Sequence, residues 1–201
     1  FLLAQPDLGS TVVLFVITFG MLFIVGANFW QFILLIGTGI LLFVWLVLSA
    51  SYRLKRFTGF LEPFKDPYGT GFQLTNSLMA FGRGEISGEG LGNSIQKLDY
   101  LPEAHTDFIM AVIAEETGLV GIALVLFLDY WLIRYAFEIG RVAVKMERFF
   151  SGMLAQGVGV WFGVQIFINV GVASGLLPTK GLTMPFLSFG GSALLSSLVA
   201  I

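Results

Sequence analysis

The stretch YLPEAHTDF, residues 100–108, holds the one histidine of the chain, His105, with Glu103 two residues before it and Asp107 two residues after. A carboxylate at the mouth of a membrane span is the right group to take a proton from a hydroxyl. Plainer readings compete with that one. Pro102 ends whatever precedes it, and Thr106 or Asp107 suits the N-cap of a helix starting at Phe108, which would leave Glu103 and His105 merely solvated. His105 with Glu103 also suggests a metal, but zinc sites use more His or Cys than this chain offers. A hard divalent cation, magnesium or manganese, bridging phosphates needs no such ligands and stays open.

Further along lie Glu115 and Glu116, about two turns into an apolar run. At 3.6 residues per turn Glu115 falls roughly 80° around the helix from Asp107, and Glu116 roughly opposite. An ionisable group in a span costs on the order of 3 kcal/mol, so each should face a cavity or bond to Ser, Thr or Arg on a neighbouring segment. Asp129 and Arg134 sit nearer the basic end and read as structural or interfacial. LLPTKGLTMPFLSFGGS, 176–192, carries Lys180, the only charge after Arg148. Its prolines and Gly190-Gly191 break the backbone near the membrane surface, which is tolerated only where that backbone is buried or lines a cavity. Lys180 should then face Asp107; alone it would snorkel. The glycine-dense GRGEISGEGLGN, 82–93, follows no strand and matches no nucleotide-binding spacing. It reads either as plain flexibility or as backbone able to approach a substrate closely.

The elements that must position these residues are membrane helices. Mean hydropathy is +0.87, with 12% charged residues and 21 Phe, against about 25% charged in an ordinary globular domain. A net charge of −2 without a dense basic run gives no nucleic-acid footprint, and no Cys means no thiolate or disulfide chemistry. With apolar sequence at both ends and no basic segment ahead of it, the chain reads as a piece of a longer membrane protein. Residues 8–52 hold no charge, enough for two spans of about 20 residues, near 8–27 and 31–50, separated by GANFWQ with Trp30 as anchor. A third span covers about 108–137, a fourth lies within 149–179, and a fifth starts near Thr183.

The domain plan is thus two spans in 1–50, a long loop over 51–106, and three spans in 107–201. That loop carries six of the eleven Lys+Arg and six of the thirteen Asp+Glu, and its length marks it as functional. Phe72, Leu74, Leu78 and Phe81 predict a short amphipathic helix on or dipping into the membrane surface. Arg141, Lys145 and Arg148 mark a short cytoplasmic loop by the positive-inside rule; YRLKR at 52–56 pulls the other way, but long loops weigh little in that rule. The long loop is placed outside the cytoplasm.

GLGNSIQKLDYLPEAHTDFIMAVIAEETGLVG (90–121), GLLPTKGLTMPFLSFGGSALL (175–195) and QPDLGSTVV (5–13) resemble the SEDS family of cell-wall polymerases, in its cell-division branch. The elongation branch shares the HTDF core and the GG turn but not the NSIQKL run. The resemblance covers essentially the whole chain; Asn28 departs from it, where a basic residue is expected. It implies the C-terminal half of a ten-span, all-α polytopic fold. It also implies a peptidoglycan glycosyltransferase that polymerises lipid II, the undecaprenyl-pyrophosphate-linked disaccharide-peptide, during septal wall synthesis. The family's aspartate in HTDF falls on Asp107, as general base. Lys97, Lys180 and Arg83 are the basic residues available to the leaving pyrophosphate, with Glu116, His105 and Gln96 shaping the site. Implied partners are the division-type class B penicillin-binding transpeptidase, other divisome proteins and the bilayer of the bacterial inner membrane at the septum. A lipid II flippase and a non-catalytic scaffold for the transpeptidase are the competing functions.

Overall fold

A computed structural model describes residues 8–48, 59–69 and 71–201. The basic run YRLKR at 52–56 and the first residues of QPDLGSTVV lie outside them. Helices account for nearly all regular structure, and no strand occurs among the described residues: α1 Leu8–Val25, α2 Phe29–Leu48, α3 Phe72–Gly84, α4 Ile109–Lys145, α5 Phe149–Ala173 and α6 Gly191–Ala200. One turn of 3-10 helix at Pro63–Lys65 and a short π-helical stretch at Gln96–Tyr100 lie between them. α4 and α5 are long and apolar enough to cross a membrane, and α1, α2 and α6 contribute shorter apolar stretches. Their outward faces are hydrophobic, with Trp30 75% and Leu41 71% exposed, as suits a lipid rather than an aqueous surround.

The described residues pack as two compact units, those within 1–54 with 130–164 and those within 55–129 with 165–201. In the first unit, α1 and α2 form a hairpin turned at Gly26, whose φ is 82°, and closed by Phe19 and Phe23 packing on Phe32. In the same unit Gly140 and Gly152 bring α4 and α5 together. A Cβ at either glycine would stand 2.8 Å from the other's carbonyl oxygen, the close small-residue contact that joins helices in lipid.

The second unit holds the polar residues singled out above. α3 forms where the amphipathic pattern places it, and its buried residues include Leu74 and Ala80 together with three polar residues. Thr75 donates to the Pro63 carbonyl, Asn76 to that of Tyr100, and Ser77 to that of Ala173 at the end of α5. The helix is therefore tied into protein on several sides. The third span is present as α4 but kinked, because Gly118 has φ 65° and ψ −161° inside it, a region open essentially only to glycine. One sequence expectation needs correction here. The last helix begins at Gly191, not near Thr183, since Pro185 and Gly190 keep the preceding backbone out of helical geometry.

Candidate functional site

Asp107 is not the cap of α4. The Phe108 carbonyl accepts the N–H groups of Ala111 and Val112, so the cap position falls one residue later and the Asp107 carboxylate is aimed elsewhere. It lies beside the backbone of Gly181, where a Cβ would stand 2.6 Å from Oδ2, so a larger residue there would displace the carboxylate. The turn that presents it is built on Glu103, in the left-handed region at φ 57°. The Glu103 carbonyl accepts N–H bonds from Thr106, Asp107 and Phe108 at 3.1 to 3.2 Å, and its carboxylate accepts the Thr106 hydroxyl at 2.6 Å. Burial pushes the Asp107 carboxyl above its ordinary range and the Glu103 charge pushes the same way, while the Lys180 ammonium pulls it back. The Lys180 charge is therefore felt at Asp107.

Three consecutive carbonyls of this segment are held from outside it. The His105 carbonyl accepts the Phe189 N–H at 2.8 Å, that of Thr106 accepts the Ser188 hydroxyl at 2.5 Å, and that of Asp107 accepts the Asn169 amide at 2.9 Å. The Asn169 amide also donates to Leu182 at 2.6 Å, and the Ser188 hydroxyl accepts the Met184 N–H at 2.7 Å. The His105 ring meets Phe189 edge to face, with centroids 6.1 Å apart. Leu101, Ala104, Phe108 and Met184 are buried beneath. HTDF and the Pro/Gly-broken segment after α5 thus form one bonded assembly.

Glu115 is placed quite differently. It is fully buried, and accepts bonds from the Ser94 hydroxyl, the N–H groups of Ile95 and Gln96 at 3.2 Å, and Arg83 Nη1 at 3.3 Å. Arg83 Nε also lies 3.6 Å from Glu89. Glu116, the next residue, pairs with Lys97 at 2.5 Å. Gln96 donates its backbone N–H to Glu115, and its buried side-chain oxygen has no partner among the described residues. The helix break at Gly118 is what the glycine-rich loop serves. Leu119 and Val120 donate to the carbonyls of Glu85 and Ile86, while Glu89 and Gly90 donate to those of Glu115 and Glu116. A Cβ on Gly84 or Gly88 would overlap the backbone of Ala114 or Glu116. The close backbone approach anticipated for these glycines is made to the chain's own interrupted helix, and it satisfies groups that a membrane leaves without water.

The structure therefore gathers Glu103, His105, Asp107 and Lys180 in one place, and Arg83, Gln96, Lys97 and Glu116 in another, around Glu115. Both belong to the second unit. Sequence inspection passed over Ser94, Asn169 and Ser188. Only Asn169 left a signal, as an amide within the charge-free stretch 149–179. Among the described residues no three His, Cys, Asp or Glu side chains stand together as a metal ligand set; a cation held by phosphate oxygens would draw most of its ligands from substrate.

Residues 1–201 match in full the family described as cell cycle protein, which groups FtsW, RodA and SpoVE. The chain is 68% identical over 195 residues to the probable peptidoglycan glycosyltransferase FtsW of Pasteurella multocida, an alignment that covers 97% of this chain and 49% of that protein. It is 58% identical over 200 residues to the protein so named in Escherichia coli O157:H7, covering 100% of this chain and 48% of that one. A solved structure described as structural coordination of polymerization and crosslinking by a peptidoglycan synthase complex matches with a TM-score of 0.75 and 28% identity, over 99% of this chain and 55% of that one. A mutant of the rod shape determining protein RodA of Thermus thermophilus matches with a TM-score of 0.63 and 26% identity, over 99% and 49%. The chain belongs to the FtsW/RodA/SpoVE family of cell cycle proteins, the SEDS family, and has its all-helical, polytopic membrane fold. It spans about half the length of the curated relatives it matches.

Proposed function

We propose that the protein containing this chain is a peptidoglycan glycosyltransferase of the division septum that polymerises lipid II, with Asp107 as general base. The observation that carries the reading is the Asp107 carboxyl itself. It is partly desolvated and raised in pKa, held against Gly181 and placed just ahead of a membrane-spanning helix. A carboxylate of raised pKa is a better proton acceptor near neutral pH than an exposed one.

In the transfer, the 4-hydroxyl of the acceptor sugar gives its proton to Asp107 as its oxygen bonds to the anomeric carbon of the donor. The anomeric C–O bond breaks, and its electron pair leaves with the undecaprenyl pyrophosphate. Lys180, whose charge reaches Asp107, is the first candidate to meet the developing negative charge. Lys97 and Arg83 pair with Glu116 and Glu115 in the cluster around Glu115, with Gln96, Glu116 and His105 shaping the surroundings. The resemblance to a synthase complex described by polymerization and crosslinking supports a division-type class B transpeptidase as partner. The basic turn at Arg141, Lys145 and Arg148 supports placing residues 51–106 outside the cytoplasm of the inner membrane.

A flippase needs carboxylates free to exchange partners within the span, whereas Glu115 is enclosed by its donors. The test is Asp107→Ala in the full-length protein purified with its transpeptidase. Glycan-strand formation from lipid II should fall by at least ~10²-fold while the complex still assembles. Polymerisation at the normal rate would overturn the assignment, and loss of lipid II transport with normal polymerisation would favour the flippase.

A further inference from the structure

Asn169 is 1% exposed, yet its amide lies one turn before the end of α5, among apolar neighbours. Both hydrogens of the amide are used, one on the Asp107 carbonyl and one on that of Leu182. Its oxygen has no partner among the described residues. Rotating the amide would turn that oxygen toward two carbonyls, so the two bonds fix its orientation. A buried acceptor left unsatisfied is costly, and an apolar residue of the same size would avoid that cost. What the amide accomplishes is a tie between the segment bearing Asp107 and the segment bearing Lys180, two residues before Leu182. Ser188 makes a parallel tie one residue earlier, between Thr106 and Met184.

From this geometry we infer that Asn169, seconded by Ser188, is a positioning residue that holds Asp107 and Lys180 in one fixed relation for glycosyl transfer. The inference rests on the catalytic reading of Asp107 given above. Its action is indirect, since the amide bonds only backbone. The titratable groups acting on or flanking Asp107 are Glu103 and His105 on its own segment and Lys180 on the segment after α5; α5 itself brings the neutral Asn169. Loosening the tie weakens the lowering influence of Lys180 on Asp107. The acidic limb of the pH–rate profile should therefore move to higher pH.

The experiment measures lipid II polymerisation by the full-length protein with its transpeptidase, comparing Asn169→Leu, Ser188→Ala, Lys180→Ala and Asp107→Asn. A small misplacement of a reacting group costs about 10- to 100-fold in rate, so Asn169→Leu should lower kcat by roughly tenfold or more, with KM little changed. Its pH limb should shift upward, and the effects of Asn169→Leu and Lys180→Ala should be non-additive, as expected of groups acting as a unit. Ser188→Ala should lower kcat by a few-fold in the same pattern. An assembled Asn169→Leu complex with normal kcat and pH profile, or strict additivity with Lys180→Ala, would overturn the inference. Should Asn169→Leu fail to assemble, Ser188→Ala decides by the same two readouts. Normal activity in Asp107→Asn would overturn the base assignment and this inference together. An inactive Asp107→Asn beside a normal Asn169→Leu would overturn this inference alone.

Discussion

Asp107 and Glu115 stand eight residues apart, on either side of the start of α4, and the protein treats their carboxylates in opposite ways. Glu115 is sealed and surrounded by donors: a hydroxyl, two backbone N–H groups and a guanidinium. Asp107 is only partly desolvated, with another carboxylate close enough to raise its pKa and a glycine backbone against it. Burial with full hydrogen bonding makes a charge structural, because its neighbours depend on it. Burial with incomplete compensation leaves a group ready to exchange a proton.

Removing each carboxylate tests this difference. Glu115→Ala strands the Ser94 hydroxyl and the Ile95 and Gln96 amides around an empty site, and should lower stability by about 3 kcal/mol, read as a drop in thermal midpoint of the detergent-solubilised protein. Asp107→Asn should do the reverse while abolishing activity. An acid whose folded pKa lies above its ordinary 3.8 adds stability that is present below the unfolded pKa and lost as pH rises through the folded one. At neutral pH the charged Asp107 is therefore a burden on the fold, and the variant should melt slightly later. Equal losses of stability from both substitutions would erase the distinction.

Smaller effects come from the neighbours. Gly181→Ala sets a methyl 2.6 Å from Asp107 Oδ2 and should reduce polymerisation about tenfold, as a displaced base would, with assembly retained. Because the Glu103 charge raises the Asp107 pKa and Lys180 lowers it, Glu103→Gln should move the acidic limb of the rate profile to lower pH and Lys180→Ala to higher pH. A limb that ignores both changes would mean that another group controls it. Lys97→Ala should cost less stability than Glu115→Ala, since the Lys97 side chain is 33% exposed and Glu116 keeps its hydrogen bonds to the backbone of Gly92 and Ser94.

Local rules made much of the fold legible. Charge-free runs of the right length predicted the helical hairpin at 8–48, and the spacing of Phe72, Leu74, Leu78 and Phe81 predicted α3. The same rules failed at Gly118, where a lone glycine in an apolar run is ordinarily tolerated by a helix. The break persists because the 85–90 segment supplies hydrogen bonds to both sides of it, and no local pattern announces that partner. Capping preferences likewise pointed to Asp107 as a helix cap, whereas the first turn of α4 closes on the Phe108 carbonyl and the Asp107 carboxylate lies beside Gly181.

By itself the amino-acid sequence determined which segments are apolar enough to form membrane helices, which polar residues are exceptional among them, and through its motifs the family. Those properties follow from hydrophobicity and from spacing within a few turns of chain. Only the tertiary structure decided that Glu115 serves as an internal anchor, that Arg83 and Lys97 are paired, and that Asn169 and Ser188 bind the HTDF segment. The Arg83–Glu115, Asn169–Asp107 and Ser188–Thr106 contacts join residues 32, 62 and 82 positions apart. At such separations the backbone path, rather than residue preference, sets which groups meet.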